Sequence, residues 1–295
     1  MDFYANLHMH STHSDGVYSP EELVRIAKSE GYKAIAITDH DIGTAYPELV
    51  KACLNENMEC IFGVEFSVKD PYDFHIVGFD FNPEYPPMKE YLDMHAEASR
   101  YNARKCFEEA VSLGNIKGIT WDEVLEYNEG ISKICNNHIF RAMKSKGLVE
   151  ESQYMEWFDT NFRYQRAKYK SKEAFLPLHK MVTLIKEAGG FAVCAHPKTE
   201  QLNRFDLLME CGVEGLEASH PGMSCEERER AYKLCMDNNL FISGGSDHCG
   251  LCGGLYASYP DEESLRKSYH YIEPMSVGVT KEHFKEIQTR KLKRK

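Results

Sequence analysis

Two histidines stand two positions apart in Asn6-Leu7-His8-Met9-His10-Ser11, and Asp15-Gly16 follows five positions after the second. Phe3, Tyr4 and Leu7 are strand formers, while Ser11, Thr12, Ser14 and Gly16 belong to a polar loop, so the pair sits where a strand ends. Residues two apart on a strand share a face. His8 and His10 can therefore offer imidazoles to one cation while Met9 packs on the other side, and Asp15 adds a hard oxygen ligand. Alone, such a pair reads equally well as two hydrogen-bonded or solvent-facing histidines. Recurrence tips the balance. Thr38 leads into Asp39-His40-Asp41, Ala195 into His196-Pro197, and Gly244-Gly245 into Ser246-Asp247-His248; Glu65 lies in the apolar run 60–66 and His75 near the start of the run 74–79. A carboxylate such as Glu65 is costly to bury in an apolar strand unless a cation lies beside it. Imidazoles and carboxylates without a thiolate cluster suit Mn, Fe or Zn at more than one site rather than a structural zinc.

The elements that must position these residues alternate. Ser19-Pro20-Glu21-Glu22-Leu23 reads as an N-cap with proline at the first helical position, Leu23, Ile26 and Ala27 share a helical face, and Gly31 ends that helix. A strand over 33–38, a helix over 44–55 and strands over 60–66 and 74–79 follow. From 84 to 180 the pattern turns helical, with Tyr91, Met94 and Ala98, then Trp121, Val124 and Leu125, at helical spacing and no clear strand. Within it the basic run from Arg163 to Lys172 reads as a solvated helix face in preference to a phosphate contact. The alternation resumes with a helix over 181–188, a strand over 191–195, helices over 204–211 and 225–238 around a strand over 215–220, and a strand over 240–245. A possible strand near Ile272, a helix over 281–287 and a frayed tail over 291–295 complete the chain. Mostly parallel strands are expected, with the chemistry at their C-terminal ends.

The bulk composition narrows the function. The formal charge of −11 argues against broad electrostatic capture of nucleic acid, because phosphate contacts need lysine or arginine. No stretch approaches the ~20 apolar residues of a membrane span and no signal-peptide pattern opens the chain, which reads as cytoplasmic. Most of the ten cysteines lie singly in apolar patterns, as small buried hydrophobes do. Cys249 and Cys252 form the one CxxC, without the second pair that a zinc finger would need.

The stretches His8-Met9-His10-Ser11 with Ser14-Asp15-Gly16, Thr38-Asp39-His40-Asp41, Gly63-Val64-Glu65, His75-Ile76-Val77-Gly78, Ala195-His196-Pro197 and Gly244-Gly245-Ser246-Asp247 resemble, in order and across almost the whole chain, the PHP (polymerase and histidinol phosphatase) superfamily of metal-dependent phosphoesterases. The helical insertion is similar to that of its small-molecule branch. The resemblance implies an α/β fold, a distorted (β/α)7 barrel formed by 1–83 and 181–295 with a mainly helical subdomain at 84–180, and two or three divalent metals, Mn first with Zn or Fe as the others. It implies that His8, His10, Glu65 and Asp247 hold one ion, that Glu65 bridges to a second held by His75 and His196, and that Asp15 and His40 hold a third. The chain departs from the family where Asp-x-His is usual: Cys249 stands at the histidine position and His248 in the middle place. The third site is then completed by His248 or by a Cys249 thiolate, or the enzyme works with two ions; Cys249 as a packing residue is a further reading.

The activity so implied is hydrolysis of phosphate esters on a small phosphorylated metabolite, a nucleotide bisphosphate or a sugar or nucleotide cyclic phosphate, by a metal-bridging hydroxide. Asp247 belongs to the catalytic set, and His248, Asp41 or the Asp15-His40 ion would serve the leaving oxygen. Asp39 orients an imidazole or caps its turn, the second being preferred. Substrate contacts are expected from Lys198 and His220, from His138, where relatives carry Arg-Pro-His and this chain has Asn136-Asn137-His138, and from Arg100 and Arg104 one turn apart on a helix; a histidine at a helix start and two solvated arginines are the alternative readings. His13 and His95 read as surface or packing residues. A nuclease or polymerase-associated exonuclease is the alternative enzyme; a catalytically degenerate metal-binding regulatory domain is the alternative without catalysis. Neither a membrane nor extended nucleic acid is an expected partner.

Overall fold

The computed structural model describes residues 2–69, 72–163, 168–169, 175–248 and 275–292. Cys249, Cys252, the strand expected near Ile272 and much of the basic run over 163–172 lie outside them. Two sheets carry the functional residues. β1 (Ala5–Asn6), β2 (Ala34–Ile35) and β3 (Glu59–Cys60) pair in parallel; β4 (Gly63–Val68), β5 (Phe74–Phe79), β6 (Phe191–Cys194), β7 (Gly215–Ser219) and β8 (Phe241–Gly244) form the second sheet in that order.

The strands are less uniform in direction than expected, because β5 runs antiparallel to both β4 and β6. The link from Val68 to Phe74 is too short for a parallel crossover, which takes a dozen residues or more, so the chain must turn back as a hairpin. The reversal matters for the site: it brings His75, at the start of β5, to the C-terminal end of β6, where the amide of Ala195 donates to the His75 carbonyl at 2.9 Å. The run 60–66, read from sequence as one strand, divides between the sheets, β3 ending at Cys60 and β4 starting at Gly63. Backbone bonds link the sheets on both flanks. Leu7 donates to Gly244 at 3.0 Å, Asp247 to His8 at 2.9 Å and Glu65 to Thr38 at 3.2 Å.

Strand alternation sorts the side chains. Val64, Phe66, Ile76, Cys194 and Leu216 pack outward beneath helices that include Leu178–Glu187 and Cys225–Asn238. Leu7, Ala36, Ile61, Val77, Val193 and Phe241 form a separate apolar interior. Glu65, between Val64 and Phe66, and Glu217, between Leu216 and Ala218, therefore face away from the outer core. The helix Pro20–Glu30 (α1) is capped as expected, with reciprocal bonds between Ser19 and Glu22 and a left-handed Gly31 at φ 109°, and Tyr46–Glu56 (α2) follows β2. Between Pro86 and Phe158 the chain is helical, as Pro86–Ser112 (α3), Trp121–Tyr127 (α4), Asn136–Ser145 (α5) and Tyr154–Phe158 (α6), with a core of its own from Phe107, Trp121, Val124, Phe140 and Trp157. Arg163 pairs with Asp159 at 2.6 Å and Lys168 with Glu109 at 3.3 Å, so the described part of the basic run is a solvated face. Among the described residues no helix is long and apolar enough to cross a membrane.

Candidate metal centre

Glu65 is the hub. Its Oε2 lies 3.2 Å from His8 Nε2, 3.3 Å from His10 Nε2 and 3.1 Å from His40 Nδ1; its Oε1 lies 2.8 Å from His75 Nδ1 and 3.0 Å from His196 Nε2. Asp247 Oδ1 stands 2.9 Å from His10 Nε2 and 3.7 Å from His8 Nε2, and Asp15 approaches His10 at 3.5 Å and His40 at 3.9 Å. Five histidines far apart in sequence thus converge on one carboxylate, and Asp15 and Asp247 flank them. Three overlapping sets have metal-ligand spacing among the described residues: His8, His10, Glu65 and Asp247; His10, Asp15 and His40; and His40, Glu65 and His75.

The donors fit divalent ions on their own chemistry. His8 Nε2, both ring nitrogens of His10, His40 Nδ1 and Glu65 Oε2 are buried without a hydrogen-bond partner, so their close approaches lack hydrogen-bond geometry. Buried polar atoms are rarely left so, and a cation between them is what such convergence serves. Without one, burial works against a charge on His8, yet Glu217, Glu65 and Asp247 hold its pKa well above the usual imidazole value. His10 moves the same way, burial being outweighed by Asp15, Asp247 and Glu65. Burial likewise opposes charge on Glu65, and His40 and His8 pull it well below the usual carboxylate range. Metal bound among these groups would take the place of protons, so its uptake would be coupled to proton release.

Backbone and neighbours fix the ligands. His196, Asp41 and Asp247 have left-handed φ values of 30°, 51° and 52°, a conformation that costs of order 1–3 kcal/mol at a non-glycine residue. All three lie where a strand gives way to the pocket. Gly245 is held to glycine by proximity, since a Cβ there would meet the His8 backbone nitrogen at 2.3 Å. Asp39 accepts from the Ser11 amide at 2.7 Å and the Ser11 hydroxyl at 2.6 Å, and also from the Ser14 hydroxyl. It binds down the loop that presents Asp15 rather than capping its own turn. Glu217, which the sequence reading placed on a strand without assigning it a role, accepts from His8 Nδ1 at 3.0 Å and from the His196 amide at 2.6 Å, and is fully buried. Its signal was present: a lone carboxylate between Leu216 and Ala218 is the pattern that marked Glu65.

Several expected roles are not supported. His138 is not among the residues lining the cavity: its Nδ1 accepts from the Cys135 amide at 3.0 Å, its Nε2 donates to the Thr12 carbonyl at 3.0 Å, and burial, with Arg141 nearby, pushes its pKa well down. It is a neutral tie between the helical segment and the metal loop. Arg104 is exposed and paired with Glu108 at 2.8 Å, one turn along its own helix; Arg100 and Lys198 are exposed and outside the cavity lining. His220 touches the site through Asp247, whose Oδ2 lies 3.3 Å from its Nε2, while its Nδ1 accepts from the Gly222 amide. His248 joins none of the three ligand sets; its ring packs on Tyr18 with centroids 6.0 Å apart, its Nδ1 is buried without a hydrogen-bond partner, and burial pushes its pKa down to about 4. His13 is buried against Thr44 and Glu48, whereas His95 lines the cavity.

That cavity, about 330 Å³, lies between the ligand cluster and the helical segment. Asp15, His40, Asp41 and His75 bound it on one side; Lys133, Cys135, Asn136 and Tyr154 bound it on the other.

An α/β protein with a buried histidine-carboxylate cluster of this kind belongs to the metal-dependent hydrolase type. The PHP domain model matches residues 6–175, more than half of the chain, and the chain belongs to that family. It is similar to the phosphoribosyl 1,2-cyclic phosphate 1,2-diphosphodiesterase of Eggerthella lenta, 26% identical over 257 residues, covering 84% of this chain and 95% of that one. It is 27% identical over 261 residues to a 5'-3' exoribonuclease of Haemophilus influenzae, covering 85% and 91%. A crystal structure from Bifidobacterium adolescentis, assigned as a metal-dependent phosphoesterase, matches with a TM-score of 0.70 and 27% identity over 90% of this chain and 96% of that one.

Proposed function

We propose that the protein is a metal-dependent phosphoesterase acting on a small phosphorylated metabolite. The observation that carries this reading is the position of Glu65, one buried carboxylate with three imidazoles facing one oxygen and two facing the other. His8, His10, Glu65 and Asp247 would hold one ion, with His40, His75 and His196 disposed around the bridging carboxylate for a second and Asp15 with His40 and His10 for a third. Divalent ions so held, Mn foremost and Zn or Fe as alternatives, would supply Lewis acidity toward phosphoryl oxygens and an activated water. The chain does the rest. Glu217 and Asp39 fix the ligand geometry, Glu217 through the His8 ring and Asp39 through the Asp15 loop. Asp41, with one oxygen accepting from the Ser67 amide at 3.1 Å, presents its carboxyl to the cavity as the group that returns a proton to the leaving oxygen.

The finer architecture belongs to the same proposal. The backbone bonds between the two sheets and the shared apolar interior support a distorted (β/α)7 barrel made of 1–83 and 181–295, and the separate core around Trp121 and Phe140 supports a helical subdomain at 84–180. A second reading, end-directed hydrolysis of RNA, is favoured by the likeness to the Haemophilus influenzae exoribonuclease. The acidic chain and a cavity of metabolite size favour the small substrate. A panel of a 3',5'-bisphosphate, a cyclic phosphodiester, histidinol phosphate and a short 5'-phosphorylated RNA, assayed with Mn and after chelation, separates them. Metal-dependent turnover of a small ester is expected; faster turnover of the RNA would reverse the order, and turnover of none would leave the regulatory reading.

A further inference from the structure

Among the described residues, one lysine and no arginine lines the cavity above the metal-binding face. It is Lys133, on the extended loop between α4 and α5. That loop is pinned: Ile134 is fully buried, its carbonyl accepts from the Ser99 hydroxyl at 2.9 Å, and the Cys135 amide is bonded to His138. From this base the Lys133 ammonium crosses to the opposite wall and donates to the carbonyl of His40, whose imidazole faces Glu65. An ammonium carries three donors, and this carbonyl takes one.

The local charge makes the position informative. Asp15 and Asp41 line the same cavity. A phosphate ester entering here meets carboxylates on the protein side, and the protein contributes one permanent cation from this lining to offset them. An ammonium within reach of developing phosphoryl charge, in a partly closed cavity, is the arrangement that stabilises a transition state more than a ground state.

Resting on the phosphoesterase reading, we propose that Lys133 binds the transferred phosphoryl group, its ammonium contacting a non-bridging oxygen beside the His40 carbonyl. Lys133 neither gives nor takes a proton: the water oxygen bonds to phosphorus as the ester P–O bond breaks, and the proton the water loses passes through Asp41 to the leaving oxygen. Recognition is by point charge rather than by the two-pronged fork of an arginine.

The test uses Lys133→Ala and Lys133→Arg in the full chain, with the ester that the parent protein turns over fastest. Lys133→Ala should lower kcat/KM by about 100-fold with kcat carrying most of the loss, retain the parent's bound metal by elemental analysis, and regain activity saturably on addition of methylammonium. Lys133→Arg should lie between Ala and the parent. Inorganic phosphate, titrated calorimetrically into the Mn-loaded protein, should bind Lys133→Ala about tenfold more weakly than the parent, a readout that needs no turnover. A kcat/KM within threefold of the parent, or a loss that follows metal content and ignores methylammonium, would overturn the proposal. Should Lys133→Ala fail to fold, Lys133→Gln carries the same kinetic and phosphate-binding expectations. An inactive parent that still binds phosphate through Lys133 would count against the phosphoesterase reading and not against this contact.

Discussion

Replacing Glu217 by Gln changes one atom's identity and leaves the shape nearly intact, which makes it a sharp probe of the cluster. The carboxylate serves two donors at once, the His8 ring at Nδ1 and the His196 amide, at 3.0 and 2.6 Å. Burial opposes its charge, yet His8, His220 and His196 hold its pKa below the usual value, so it is ionised in the fold. A glutamine has one acceptor end. If its NH2 faces the amide of His196, two donors oppose each other in a dry site; if it faces His8, the ring must carry its proton on Nε2, the nitrogen that points to Glu65 and would ligate metal. An unsatisfied buried donor costs about 1–3 kcal/mol, which corresponds to roughly 5- to 150-fold in affinity, and loss of such an outer partner typically weakens metal binding by about 10- to 100-fold. The two routes agree on about tenfold or more. Calorimetric titration of Mn into chelator-stripped parent and variant measures it, with surface Glu226→Gln as the control. A dissociation constant within twofold of the parent would refute the claim that Glu217 sets the His8 tautomer.

Gly245→Ala should disturb the same histidine sterically. Its Cβ would stand 2.3 Å from the His8 nitrogen and 2.5 Å from the His8 Cβ, and overpacking of this kind costs about 1–3 kcal/mol, so a lower melting temperature and reduced bound metal are expected; parental values for both would contradict the packing. Glu65→Gln should lose turnover and most bound metal together, measured by elemental analysis, and retention of both would remove its bridging role. For His138 the sign follows from linkage. Its folded pKa is held well below that of a free imidazole, about 6.5, so the unfolded chain binds the extra proton, and the stabilisation is full above that pH and lost as pH falls through it. Between pH 7.5 and 5.5 that loss amounts to about 1.4 kcal/mol, and the gap in urea-unfolding free energy between the parent and His138→Gln should narrow by that amount; a gap constant with pH would show that the buried imidazole is not neutral.

What the sequence revealed, and what it hid, divides along a physical line. Ligand types and their placement at strand ends were legible, because few structural roles put histidine or carboxylate at the end of apolar strand after apolar strand. The surroundings of His138 and Arg104 were not legible, because a residue's type does not state what its side chain meets: His138 spends both nitrogens on Cys135 and Thr12, and Arg104 turns to Glu108. Lys133 gave no signal at all, since a loop lysine acquires meaning only when the loop is pinned across a cavity.

Strand regularity was the least legible feature, and the metal cluster itself explains why. β1 and β2 are each two residues long as paired strands, although apolar character continues past both. Beyond those pairs the chain makes single bonds to changing partners, Ala36 to Asn6, Thr38 to Met9 and Asp247 to His8, and takes left-handed turns at Asp41, His196 and Asp247. A regular ladder would set His8 and His10 on one face, as their two-residue spacing allows, but would not supply the left-handed turns at which His196 and Asp247 enter the pocket. Departure from the ladder is therefore what the convergence requires, and its strain is sustained by Asp39, Glu217 and the backbone bonds around them. It follows that substitutions at these outer partners should weaken metal binding before they unfold the sheets.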